Sequence, residues 1–308
     1  MHNKIIFYTT LFSLFCSGVN LSAQESTDSL ENMLNSETPQ EINYTSATFK
    51  ATRIINGHSI ERMPQGQLDV RFHHRFGPIN QGAYGFWGLD GASTFLGLEY
   101  GITNWIMVGT GRASFEKTYD GYVKFSLFRQ STGKRKMPVS ISWFSSIALR
   151  SEDFPNIDSV QKNSHYPFSA RITYVNQLLI ARKLDDRFSV QLTPSVVHYN
   201  LVPTELDLHD VFAMGFGGRV KLSKRISFNA EYFYVYRPSV KNLTQPYKNP
   251  LSIGFDIETG GHVFQLLLTN SSGMIEKHFI GQTTDMWNKA GIHIGFNISR
   301  VFDINHHK

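Results

Sequence analysis

Apolar and polar residues alternate with a period of two in segment after segment from Leu68 to Phe302, and this pattern constrains the chain more than any other feature. The stretch Lys221 to Tyr236, KLSKRISFNAEYFYVY, displays it clearly. After a short turn over Leu222 to Arg225, Ile226, Phe228, Ala230, Tyr232, Tyr234 and Tyr236 alternate with Ser227, Asn229, Glu231, Phe233 and Val235. Such spacing places the two sets on opposite faces of a strand. With the similar segment before it, the stretch reads as a membrane hairpin.

The same reading gives twelve strands from Leu68 onward. Leu68, Val70, Phe72 and Phe76 alternate with Asp69, Arg71, His73 and Arg75, and Leu96, Leu98 and Tyr100 with Gly97 and Glu99. Over Ile106 to Arg112 the faces are ambiguous. Later segments set Trp143 and Ile147 against Ser142 and Ser146, Leu192 and Val196 against Gln191 and Ser195, and Ile294 and Phe296 against His293 and Asn297. In the segment Phe168 to Ile180, Ser169, Arg171, Thr173 and Gln177 are expected on the inner face. Connections such as Gly101 to Trp105, Arg182 to Arg187, Leu222 to Arg225 and Glu258 to Gly261 are short. Gly77 to Ser93, Ser151 to Pro167, Asn200 to Asp210, Arg237 to Pro250 and Asn270 to Ala290 are long. That asymmetry belongs to outer-membrane barrels. Lipid offers no partner to an unpaired backbone group, so a spanning sheet must close on itself. A secreted β-sandwich would also alternate but seldom keeps such loop asymmetry. The expected fold is all-β, a single closed antiparallel transmembrane barrel of about twelve strands.

Upstream of the barrel, three stretches differ in composition. Residues 1–23 carry one early cation, Lys4, then an apolar run from Ile5 to Cys16 and an exit through Leu21, Ser22 and Ala23, as in a cleaved signal peptide. Residues 24–61 form a lead-in that is acidic at first, with Glu25, Asp28, Glu31, Glu37 and Glu41 and a short helix expected over Ser29 to Leu34. Its second half, Ser46 to Glu61, has strand-like composition but poor alternation, and is expected to plug the lumen or pair at the rim. Residues 62–308 hold the barrel. Cys16 is the only cysteine, and Phe15 before it is not the small residue a lipoprotein cleavage site wants, so neither a disulfide framework nor a lipid anchor is implied.

A net charge of +5 invites a nucleic-acid reading, yet the cations are dispersed, with Lys134, Arg135 and Lys136 the only run of three. No nucleic-acid partner is expected. The aromatic share, 13% with 24 Phe and 13 Tyr, suits interfacial girdles, for which Trp105, Trp143, Tyr100, Tyr174, Tyr234 and Tyr236 are placed.

A barrel in this register turns Asp69, Arg71, Arg75, Glu99, Lys124, Arg171, Arg219, Lys221, Glu231, Asp256 and Glu258 toward the lumen. Glu231 is expected near Arg219 or Lys221 on the neighbouring strand. About eight strands give a filled interior and about sixteen a channel, so a polar permeation path and a filled lumen both fit. The first gives a passive channel or transporter for small solutes. The second gives an occluded structural or interaction barrel that docks partners through its outer loops, where Tyr84, Phe86 and Trp87 offer aromatic surface. A barrel hydrolase is a weaker alternative. His74, His198 and His262 stand nearest suitable positions, but no Ser and Asn accompany them at matching levels, so no enzyme activity is expected. His73 and His74 point to opposite faces, and His306 and His307 lie in a short tail, so neither pair assembles a metal site. No cofactor is expected.

The strings ATFKATRIINGHSIE, LGLEYGITNWIMVG, FEKTYDGYVKF, RQSTGKRKMPVS, QLLIARKL, GFDIETGGHVFQL, NSSGMIEKHFI and GIHIGFNISRVF resemble a Bacteroidota family of predicted outer-membrane β-barrels of unknown function. The resemblance spans about Ala47 to Phe302 and implies compartment and architecture, with no substrate or catalytic residue. The last strand, ending at Phe302, is similar to the sorting signal read by the barrel assembly machinery, although the tail Asp303 to Lys308 departs from it. Outer-membrane lipid is the other expected partner.

Overall fold

Twelve antiparallel strands close into one barrel in the computed structural model, which describes residues 41–154, 166–202, 207–237 and 247–304. The strands are β1 (Gln67–Pro78), β2 (Ala92–Gly101), β3 (Ile106–Ala113), β4 (Thr118–Phe128), β5 (Ser140–Arg150) and β6 (Ile172–Lys183). They continue as β7 (Phe188–Tyr199), β8 (Asp210–Lys221), β9 (Ile226–Tyr236), β10 (Leu251–Thr259), β11 (His262–Thr269) and β12 (His293–Asp303). Each pairs with its sequence neighbours, and β12 closes on β1 with Ile298 opposite Phe72 and Phe302 opposite Leu68. The expected signal peptide, the acidic stretch 24–40 with its expected helix, and the tail histidines lie outside the described residues.

Alternation sets the two faces. On β9, Ser227, Asn229 and Glu231 are buried while Tyr234 and Tyr236 stand more than half exposed on the outside. The outer wall is apolar at mid-strand, with Leu96, Ile147 and Leu266 each over 50% exposed. A band of this kind belongs against hydrocarbon. Trp105, Phe125 and Trp143 form a chain of ring contacts at 6.3 and 6.4 Å on that face. The tight turns gather at one end with the approach to β1. The β10–β11 turn is closed by Gly260 and Gly261, whose φ values of 39° and 99° favour glycine. At the same end Ile42–Tyr44 pairs with Ser131–Gly133 in the β4–β5 connection.

Three departures from the alternation reading have physical causes. Phe168–Arg171 is a 3₁₀ turn and β6 begins at Ile172, so Arg171 does not enter the lumen. It stands at the long-loop end, 2.9 Å from the Asp153 carboxylate. The ambiguity on β3 is resolved by Gly109 and Gly111, which face inward beneath the rings of Tyr122 and Phe95. A Cβ at either glycine would come within 2.4 Å of those rings. Phe233 and Val235, on the polar face of β9 by count, are apolar residues buried inside the barrel. They have apolar partners there because the interior holds chain.

Candidate functional site

The interior is occupied by residues 45–66, which enter and leave at the short-turn end. There the Thr45 N–H donates to Gln130 O (2.8 Å) and the Gly66 N–H to Gly101 O (2.9 Å). Between these points the chain makes a narrow hairpin, with the Ser59 N–H donating to Thr52 O and the Ile54 N–H to Gly57 O, both at 2.8 Å. An Asn-Gly pair at 56–57 suits so sharp a reversal. Phe49, Ile54, Ile55, Ile60 and Met63 join a buried cluster with Met107, Phe144, Leu179, Phe233 and Leu267 of the wall.

A hairpin with no sheet neighbour must find partners for its outward backbone groups, and wall side chains supply them. Glu231 on β9 accepts N–H bonds from Ile55 (3.3 Å), Asn56 (2.7 Å) and Gly57 (3.1 Å). Successive N–H groups of this kind form an anion-binding nest. Across the lumen, Lys124 on β4 donates to the carbonyls of Thr52 (3.3 Å), Ser59 (3.0 Å) and Glu61 (2.8 Å), clasping both legs. Gln191, Gln265 and Asn297 donate to the carbonyls of His58 (2.8 Å), Ile54 (2.6 Å) and Ile55 (3.1 Å). Arg75 reaches the Asn56 side chain at 2.8 Å, and Arg219 donates to Ala47 O at 2.9 Å.

A second element enters from the long-loop end. The helix α1 (Glu276–Gly281), in the β11–β12 connection, is buried along its whole length. Glu276 meets Arg53 of the hairpin at 3.3 Å, and Phe279 packs edge-on against Phe233 at 5.1 Å. Lys277 pairs at 2.7 Å with Glu116 in the β3–β4 loop, and His278 Nε2 lies 3.4 Å from the same carboxylate. Burial raises the cost of ionising Glu116, but the His278 hydrogen bond and the Lys277 charge outweigh it and hold its pKa well below the usual range. Burial pushes His278 down to about 4, against the pull of Glu116, so its ring is neutral at pH 7. Burial, with the Arg53 and Lys124 charges, likewise keeps His58 neutral.

Of the residues expected to line the lumen, Asp69, Arg71, Arg75, Glu99, Lys124, Arg219, Glu231 and Asp256 are buried inside. Arg71 bridges Asp69 (2.8 Å) and Glu99 (3.2 Å), and Glu99 also accepts from Tyr122 (2.6 Å) and from Thr52 of the hairpin. Glu258 sits at the short-turn mouth, paired with Lys50, and Lys221 is half-buried at the same end of β8. Arg171 is the exception already noted. Glu231 does not pair with Arg219 or Lys221. In register it lies opposite Gly217, which leaves room for Ile54, and Arg219 lies opposite Asn229. His73 is buried inward while His74 stacks on Phe296 outside, with centroids 5.2 Å apart. Sequence reasoning missed Arg53, Asn56, His58, Glu116, Glu276 and His278. The signal for the hairpin was Asn56-Gly57 flanked by Ile54-Ile55 and Ile60. For α1 there was none.

The sequence profile of DUF5777, described as a membrane bound beta barrel domain, matches residues 49–302. Among curated proteins none matches the chain. Many solved structures share a partial likeness, among them two porins and an outer membrane channel. The NanC porin in its rhombohedral crystal form has 9% identity and a TM-score of 0.46, over 76% of this chain and 98% of that one. The KdgM porin has 12% identity and a TM-score of 0.44, over 77% and 99%. The COG4313 outer membrane channel from Pseudomonas putida F1 has 12% identity and a TM-score of 0.45, over 79% and 98%. A likeness of this degree carries no argument about function.

Proposed function

The chain belongs to the DUF5777 family of membrane bound β-barrel domains, and on that premise we propose an outer-membrane channel or transporter for small solutes, closed at rest by the hairpin 45–66 and α1. The observation that carries this reading is how the hairpin is held. Its outward backbone groups bond to side chains, with three N–H groups on Glu231 and three carbonyls on Lys124. Apart from its ends, which Thr45, Gly66 and a bridge between Gln65 and Gly101 tie to the short-turn mouth, it pairs with no strand of the wall among the described residues, so release of the tip breaks side-chain contacts and leaves the barrel's hydrogen bonds intact. On this reading the short-turn end faces the periplasm, the apolar wall meets outer-membrane lipid, and β12 presents the terminal strand to the assembly machinery. The motif resemblance adds a Bacteroidota source to the proposal, and the reading assigns no catalysis.

Single-channel recording in planar bilayers tests it. Wild-type protein should conduct in rare, brief openings, and Glu231→Gln or Lys124→Met should lengthen them. The Arg53–Glu276 contact, which joins the two fillings, favours a second reading, an occluded structural barrel with its loops as the docking surface. Folded protein that stays silent in all three forms supports that reading against the channel.

A further inference from the structure

The hairpin is not held evenly around the wall. Inward side chains hydrogen-bond it from β1 through β4 and from β7 through β12. Among the described residues, β5 and β6 give it no such bond inside the barrel. From that side only Lys183 hydrogen-bonds it, reaching Ser46 O at the mouth (3.3 Å), while Phe144 and Leu179 make apolar contact, Phe144 with its ring 4.2 Å from that of His58. Between Lys183 and Arg150 at the loop end, no charged side chain of β5, β6 or β7 faces inward among the described residues.

This uncharged side has unmet polar groups. Ser142 Oγ, Gln177 Oε1 and Gln191 Oε1 are buried without partners, although Gln177 spends its amide N–H on Ser195 Oγ at 2.9 Å. Phe144 lies across from Gln177 in register, and Gln177 from Ser195, so a ring, an amide and a hydroxyl succeed one another around the wall. A pocket of about 510 Å³ opens beneath these strands at the short-turn end. Asn43 to Ser46 line it, together with Gln130 and Thr132 of the β4–β5 connection, Lys183 of β6, and Asp185 and Asp186 in the turn that follows, so charge is confined to the mouth.

Resting on the channel reading above, we infer that the inward face of β5 to β7 is the binding lane for a neutral polyhydroxylated solute, a sugar or polyol, as it passes the hairpin. A charged solute entering a low-dielectric lane needs an opposite charge, and between the Lys183 and Arg150 ends the described residues of this face offer none. Hydroxyls act as both donor and acceptor, so a polyol completes the free oxygens of Ser142, Gln177 and Gln191. The C–H face of a sugar ring has Phe144 to lie against once the His58 ring, 4.2 Å from it at rest, moves off with the displaced hairpin.

Swelling of proteoliposomes in sorbitol and in potassium gluconate, read beside KCl conductance of the same preparation, tests the lane. The Glu231→Gln protein, opened on the proposed reading, should admit sorbitol faster than gluconate by about fivefold or more, the equivalent of one hydrogen bond's difference. Adding Gln177→Leu and Ser142→Ala should lower the ratio of sorbitol entry to KCl conductance by about fivefold. Heat-modifiable gel mobility confirms that each variant is folded. If the double replacement does not fold, Gln177→Glu decides, since a charge in the lane should lower the same ratio. Equal entry of sorbitol and gluconate, or a ratio the lane replacements leave unmoved, overturns the lane and spares the channel. Folded Glu231→Gln protein that conducts no KCl overturns the channel and the lane together.

Discussion

The Glu231 carboxylate receives the backbone N–H of Asn56 at 2.7 Å, with the N–H groups of Ile55 and Gly57 at 3.3 and 3.1 Å. A wall carboxylate thereby holds the tip of the inserted hairpin, and the polarity of the lumen has a structural role beside any role in permeation. Replacing Glu231 by Gln removes the charge and turns an amide donor toward three donors. The seating of the tip should weaken by roughly 2–3 kcal/mol, from the loss of hydrogen bonds to a charged acceptor. Hydrogen exchange at residues 55–57 should accelerate on the order of a hundredfold, while exchange in the barrel strands stays unchanged. Equal acceleration throughout would mean that the residue supports the barrel as a whole.

The junction between the two fillings, Arg53 and Glu276 at 3.3 Å, is buried on both sides. Removing one partner of such a pair strands the other charge, at a cost of about 3–5 kcal/mol. Arg53→Met and Glu276→Gln should each raise open probability in bilayers, and the double replacement should raise it less than the sum of the two. Strict additivity would show that the residues do not work as a pair.

How far this arrangement was legible in the sequence follows from what alternation reports. Period two gives the strands, their number and the exposed face of residues such as Leu96 and Leu266, because lipid contact imposes one rule on every strand. It gives less about the inner face. Phe144, Leu179, Phe233 and Leu267 are apolar and point inward, since the hairpin brings Ile54, Ile55 and Ile60 to meet them, and Phe95 does so because Met274 and Ile275 meet it from the β11–β12 connection. Alternation alone sets Glu231 beside a wall cation, since it does not show that the N–H groups of Ile55, Asn56 and Gly57 reach that carboxylate. Arg171 was counted inward because alternation continues in phase across Phe168 to Arg171, although the backbone there turns as a 3₁₀ segment. On β3 the inward positions 109 and 111 are glycines, kept small by neighbouring rings, so neither face could be identified.

The seat of Ile54 gives a steric prediction. A Cβ at Gly217 would lie 2.3 Å from Ile54 Cδ1. Gly217→Val should therefore displace the hairpin, at a cost of about 1–3 kcal/mol for overpacking. Limited proteolysis should cut within residues 45–66 faster than in wild type, with the barrel fragment surviving. Unchanged cleavage would show that the hairpin accommodates the larger side chain.

Acidification acts on α1 through His278 and Glu116. His278 is held neutral with its pKa near 4, against an ordinary 6.5, so the released state takes up the proton first. Stability of the seated helix is complete above about pH 6.5 and falls as pH drops toward 4, by roughly 3 kcal/mol at the low end. Glu116, depressed in the fold, adds a loss that begins only below its ordinary range. Hydrogen exchange over residues 276–281 should rise between pH 6.5 and 4 in wild type. In His278→Gln it should rise only at the acid end, and an identical profile in both proteins would assign the effect elsewhere.

The most direct test of a displaceable stopper joins its exposure to conduction in one recording. Ile55 is fully buried at the hairpin tip, and the natural chain has its only cysteine at Cys16. Protein carrying Ile55→Cys, with Cys16 replaced by Ser, should show brief openings in a planar bilayer. A bulky, membrane-impermeant maleimide should then convert these to a persistently open state, because the adduct blocks return of the tip. Openings that continue unchanged after the reagent, with residue 55 never labelled, would contradict the account.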